Sequence, residues 1–192
     1  MPEPTSKRTR SFATPEKFSD WLAKNHASEP ELWLKIHKKA SGRKSINWEE
    51  AVIEALCWGW IDGIKKKFDD DSFLQRFTPR RPGSNWSKRN RENVERLILE
   101  KRMTKFGMVH VEAAKSDGRW EMAYAPSSEM EIPDDLLAAV NSNARVKKFF
   151  ASLSRTNLYA ITYRLHTAKT PKTRQRRFDK ILEMLKNGET FH

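Results

Sequence analysis

Hydrophobic and polar positions alternate in three stretches of the chain. In 31–39, Leu32, Leu34 and Ile36 alternate with Trp33, Lys35 and His37. In 60–68, Trp60, Asp62, Ile64, Lys66 and Phe68 fall on one face. In 72–78, Phe73, Gln75 and Phe77 oppose Leu74, Arg76 and Thr78. A period of two is the signature of a strand, because successive side chains leave opposite faces of the backbone. Asp69, Asp70 and Asp71 supply a polar turn between the last two stretches, so they form a hairpin. These three stretches predict a small three-stranded antiparallel sheet.

Elsewhere the period is helical. Phe18 and Leu22 follow Thr14-Pro15, a cap with proline in the first turn. Val52, Ala55 and Leu56 follow Asn47 and Glu50, spaced as a capping box. Val94, Leu97 and Ile98 mark a helix from about 87 to 101, and Thr104 caps the next, with Gly118 just past its end. After Pro133 the chain is helical throughout: Leu136 and Val140, then Val146, Phe149, Phe150 and Leu153, then Leu158, Ile161 and Leu165, then Phe178, Ile181 and Leu185 before Gly188. The fold class is α+β, mostly helical, with a core over 12–124 and a C-terminal helical segment over 133–188 packed on it, as one domain or as one domain with a helical extension. Tyr124 to Ser128 reads as a surface linker, and the polar, basic residues 1–11 are expected to be disordered.

The formal net charge is +12. It calls for a partner of opposite sign: an anionic ligand, a polyanion or an acidic protein. The single cysteine, Cys57, rules out an internal disulfide and a cysteine-built zinc site, and fits a reducing, cytoplasmic setting. No apolar run reaches the length of a transmembrane helix, and the N-terminal residues lack the apolar segment of a secretory signal. His26, His37, His110, His166 and His192 are scattered without metal-ligand spacing. The loop at 40–45 lacks phosphate-loop spacing. No cofactor, metal site or catalytic constellation is therefore assigned.

The candidate chemistry gathers where the hairpin meets the next helix. Arg76, Arg80, Arg81, Ser84, Trp86, Ser87 and Lys88 lie close in sequence there, with Pro79 and Pro82 stiffening the loop. Arginine forks, hydroxyls and the N–H groups of a helix start all suit an anion. Trp60 and Asp62 complete the set. In one arrangement Arg80 faces the anion. In the other, Arg80 pairs with a buried Asp62, which accepts a hydrogen bond from an arginine or from backbone N–H groups. A pocket around Asp62, Trp60 and Arg80 would suit an enzyme or a small-ligand binder. The arginines of 76–91, with Trp60 or Trp86 for stacking, would suit non-specific nucleic-acid binding.

The stretches ALCWGWIDG at 55–63, FTPRRPGSNWSKRN at 77–90, RMTKFG at 102–107, AKSDGRW at 114–120 and AKTPKTRQRR at 168–177 give the chain a family likeness. In order and spacing it resembles the YdeI/OmpD-associated, or bacteriocin-protection, family from about Phe12 to Gly188. The resemblance implies a small bacterial protein of stress and bacteriocin tolerance. It brings over no catalytic residues. The reading favoured by the residues is a tolerance protein that binds an anionic ligand or partner at the hairpin-to-helix junction.

Overall fold

The computed structural model describes residue 4 and residues 8–192. The chain forms two compact units: one of residues up to 84 with 90–121, the other of 85–89 with 122–192. Residues 1–3 and 5–7 of the stretch expected to be disordered lie outside the described residues.

In the first unit the strands are β1 (Thr9–Arg10), β2 (Leu32–His37), β3 (Trp60–Lys67) and β4 (Ser72–Pro79). They form one sheet in the order β1-β2-β4-β3. β4 pairs antiparallel with both β2 and β3, so the predicted three strands are present. The sheet is nevertheless four-stranded and mixed, because β1 adds in parallel, Thr9 opposite Trp33 and Arg10 opposite Leu34. A two-residue strand is too short to show alternation; backbone pairing makes it, and an ion pair from Arg8 to Glu31 anchors it at 3.2 Å. Leu32, Trp33, Leu34 and Ile36 are all buried, so β2 is covered on both faces. The acidic turn holds the hairpin: Asp69 accepts from the Asp71 amide at 2.9 Å and the Ser72 hydroxyl at 2.6 Å. The Ser72 hydrogen bond is the main reason the Asp69 carboxyl drops to about 2.

Helices α1 (Pro15–Asn25), α2 (Trp48–Cys57) and α4 (Lys105–Ser116) belong to this unit, as does α3 (Lys88–Leu99) beyond its first two residues. α2 starts at the Asn47–Glu50 capping box, with both reciprocal bonds formed. Its end is joined to the start of α4. The Cys57 carbonyl accepts from the Thr104 amide at 3.1 Å and from its hydroxyl at 2.6 Å, while the same hydroxyl caps the Gly107 amide. This brings backbones together so closely that a Cβ on Gly107 would lie 2.5 Å from the Cys57 oxygen and 2.8 Å from that of Leu56. Glycine is needed there for close approach, not for its dihedral freedom.

The second unit is helical: α5 (Asp134–Asn141), α6 (Ala144–Ala151), α7 (Arg155–His166) and α8 (Pro171–Asn187). Leu136, Val140, Val146, Phe150, Ile161, Leu165, Ile181 and Leu185 are its buried core. Asn143, Ser154 and Thr170 cap α6, α7 and α8, and Gly188, at φ +73°, ends α8 in a left-handed turn.

Gly107→Ala is expected to lower stability by about 1–3 kcal/mol, the scale of an overpacked contact, despite alanine's better helix propensity. Gly63→Ala, whose Cβ would meet nothing nearer than 3.7 Å, is the control and should lose no more than about 0.5 kcal/mol. Urea unfolding of the two variants measures both.

Candidate functional site

The structure distributes the junction residues of the sequence reading among different tasks. Trp60 is 1% exposed, its indole N–H donating to the His26 carbonyl at 3.1 Å and its ring meeting Trp21 edge-on. It is core, with no face open for stacking. Asp62 is half-buried beside an irregularity in the β3–β4 register and accepts from the Trp48 indole at 3.2 Å, a partner outside the expected set. Arg76 donates to Glu31 at 2.7 Å. Arg80 is 3% exposed, and its amide donates to the Gly59 carbonyl at 2.9 Å. Its guanidinium lies inside the fold: burial first, and then the charges of Arg80 and Arg119, hold His110 below the ordinary imidazole range. Arg81 is exposed at the tight turn that returns the Ser84 amide to its carbonyl. The Ser84 carbonyl accepts from Arg119 at 2.7 Å.

Trp86, Ser87 and Lys88 belong to the second unit. Trp86 is 2% exposed. The Lys88 ammonium meets Glu129 at 2.6 Å. Ser87 forms a parallel bridge with Tyr124: the Tyr124 amide donates to the Trp86 carbonyl at 2.9 Å, and the Lys88 amide donates to the Tyr124 carbonyl at 2.8 Å.

That bridge lines up a cleft of about 430 Å³ inside the second unit, walled by Ser87, Arg89, Tyr124, Pro126, Ser127, Arg155, Thr156 and Tyr159. Two guanidinium groups and five hydroxyl-bearing side chains, two of them tyrosines, line it, and none of the lining residues is acidic. Arg155 and Tyr159, one helical turn apart on α7, share a face. Arg155 is exposed and forms no ion pair among the described residues. Arg155 and Thr156 stand in the first turn of α7, where unused amides and the helix dipole favour negative charge. Behind the cleft, Tyr163 braces both tyrosines: Tyr124 meets it edge-on at 4.8 Å, and Tyr159 lies tilted at 5.9 Å. Burial, then Tyr163, pushes the Tyr159 phenol up, so it stays neutral and able to donate.

The turn that carries Arg155 and Thr156 is itself tied down. Ser154 caps it through the Asn157 amide at 3.3 Å. The buried Asn157 carboxamide accepts from the amides of Phe191 and His192 at 3.0 and 3.1 Å and donates to the His192 carbonyl. Arg164 lies over the Phe191 ring at 3.9 Å.

A second cleft, of about 560 Å³, lies inside the first unit among Pro15, Glu16, Ser19, Asp20, Glu50, Ile53, Glu54 and Arg102. Its sign is opposite, with four carboxyl groups against one guanidinium. Glu54 is 7% exposed; burial pushes its carboxyl up, and Arg102, shared with Glu100, offsets only part of this. Burial, and then Glu54, pushes the adjacent Cys57 thiol up to about 12. That leaves no thiolate for nucleophilic chemistry at neutral pH. The excess of carboxyl groups over cations sets this cleft apart from the arginine-lined one.

Residues 10–110 match a family model described as a domain of unknown function, DUF8412, and this span exceeds half of the chain. The chain belongs to the DUF8412 family. Residues 129–188 match a second model, described as bacteriocin-protection, YdeI or OmpD-associated. The YdeI/OmpD-associated match is therefore narrower than the 12–188 span of the sequence likeness. Of the quoted stretches only 168–177 falls inside it, while 55–63, 77–90 and 102–107 fall inside the DUF8412 span. The arginine-lined cleft draws on both, with Ser87 and Arg89 from the DUF8412 span and Arg155, Thr156 and Tyr159 from the YdeI/OmpD-associated span. No curated protein and no solved structure matches the chain. No helix among the described residues is long and apolar enough to cross a membrane.

Glu31 gives a test of where Arg76 is committed. Burial pushes its carboxyl up, but hydrogen bonds from Arg76 and Arg8 outweigh that and leave it below the usual glutamate range. A lowered folded-state pKa means stability that is present above the unfolded-state value and lost as pH falls through the folded one. Glu31→Gln is expected to cost about 1–3 kcal/mol at neutral pH, the penalty for disturbing a buried charged hydrogen bond. The difference from native should shrink on acidification through the carboxylate range, as urea midpoints across pH will show.

Proposed function

We propose that this protein binds a small anionic ligand, and that the site is the second-unit cleft of Ser87, Arg89, Arg155 and Thr156. The observation that carries the reading is the meeting of two arginines, five hydroxyl-bearing residues and the first turn of α7 in one cleft with no acidic residue in its lining. Guanidinium forks and hydroxyls satisfy several oxygens of a tetrahedral anion at once. The site takes Ser87 from the hairpin-to-helix junction. It replaces Arg80, which lies inside the fold, with Arg89 and Arg155. The YdeI/OmpD-associated match at 129–188 makes bacteriocin tolerance the setting we propose for this binding, with the protein acting by holding its ligand rather than by turning it over.

Phosphate is expected to raise the melting temperature of the native protein beyond chloride at matched ionic strength. Binding to the folded state alone stabilises by about 2.7 kcal/mol at a hundredfold excess over Kd. Arg155→Ala should lose that increment. Equal shifts in native protein and variant would reduce the effect to general salting and end the proposal.

A further inference from the structure

We infer that the outer face of α8 is a docking surface for the phosphate backbone of a nucleic-acid duplex, with Lys172, Arg176 and Lys180 as the contacting cations. The inference goes beyond the anion-binding cleft and rests on other residues of the second unit.

The fold sorts the basic residues of α8 into two groups. Arg174 and Arg177 are used internally: Arg174 donates through both terminal nitrogens to Asp135 at 2.7 and 3.0 Å, and Arg177 donates to the Arg164 carbonyl at 2.6 Å. Lys172, Arg176 and Lys180 are exposed and form no ion pair among the described residues. They recur at i, i+4 and i+8. At a rise of roughly 1.5 Å per residue they stand in a row along the helix, about 6 Å apart and about 12 Å from end to end. Like charges one turn apart weaken a helix. The row therefore does nothing for the stability of α8, and its repulsion is relieved when a line of negative charges lies against it. Two acidic residues limit it: Asp179, which accepts from Gln175 at 2.8 Å, lies beside the row, and Glu183 follows Lys180 and ends it.

The composition of this face selects the partner. Phe178, Ile181, Leu182 and Leu185 of α8 pack in or against the helical core, and the exposed positions beside the row are polar. A nucleic-acid single strand is held by aromatic rings stacked on its bases. An acidic protein is held through an apolar interface centre. An anionic membrane takes inserted apolar side chains, or about four to eight clustered cations. The row of three offers none of these. A duplex asks only for cations along its phosphates, because backbone contacts position a protein without reading sequence.

Fluorescence anisotropy with the full chain and a labelled, mixed-sequence DNA duplex of about twenty base pairs tests the surface. The triple variant Lys172→Gln, Arg176→Gln, Lys180→Gln is expected to bind at least tenfold more weakly at low salt. Its log K should also depend on log salt less steeply by about 2.7, at roughly 0.9 per phosphate contact. Arg176→Gln alone should take off about 0.9, which decides the matter if the triple variant fails to fold by circular dichroism. The control Lys39→Gln, Arg43→Gln, Lys44→Gln removes the same charge from an exposed loop of the first unit, where none of the three forms an ion pair among the described residues. It should weaken binding less than threefold. Arg155→Ala, the variant that tests the cleft, should bind the duplex within threefold of native, so the two readings fail separately. Equal losses in the α8 and loop variants would reduce the effect to net charge and overturn the inference. So would absence of binding, tighter binding of a single strand of the same length, or binding to phosphatidylserine vesicles that exceeds duplex binding and is lost with the row.

Discussion

Two hydrogen bonds to the backbone of Tyr124 hold the arrangement of the second unit. They tie residues 85–89 to a segment more than thirty positions further along, so a unit made of two separate pieces of chain has a fixed seam. One wall of the cleft follows from that seam, while α7, held by Ser154 and Asn157, supplies the other residues. The seam sets Ser87 and Arg89 beside Tyr124, and Tyr124 then meets the tyrosines of α7. A two-bond bridge is short for such a task. It is reinforced by the Lys88–Glu129 ion pair on one side and the buried Trp86 on the other.

Charge in this protein is decided locally, and two buried glutamates show how. Glu31 has two arginines directed at it and sits below the usual carboxylate range. Glu54 has one, shared with Glu100, and sits above it. Glu54 is the more strongly desolvated of the two and also lies near Glu16, so one shared arginine does not bring it down, whereas two arginines outweigh burial at Glu31. The net charge of +12 reveals nothing of this. It does not foretell that the larger cleft would be acidic and the smaller one basic.

Much of the fold was legible because local signals and tertiary structure agree. The capping box at Asn47, the caps at Thr14, Thr104, Ser154 and Thr170, and the acidic turn at Asp69 all act within four residues of themselves. β1 was not legible, since its only warrant is pairing with a strand over twenty residues away. The candidate site was legible in one residue, Ser87. Arg76 is committed to Glu31, a residue distant in sequence, and the burial of Arg80 is a tertiary outcome that no local pattern announces. Reading α7 by its apolar stripe of Leu158, Ile161 and Leu165 passes over Arg155 and Tyr159 on another face. The i, i+4 spacing of these two directly after a serine cap was the available signal. Tyr124, in a stretch that reads as linker, offered no periodic pattern at all.

The seclusion of Cys57 has a practical side. The chain's single thiol is 3% exposed with a pKa of about 12, so at pH 7 its thiolate fraction is on the order of one in a hundred thousand. Toward maleimides and other thiol reagents the folded protein behaves as though it had no cysteine. A cysteine introduced at Ser127, on the exposed rim of the arginine-lined cleft, would take a fluorophore alone, and the native residue could stay in place. The molecule thus comes ready for site-specific labelling.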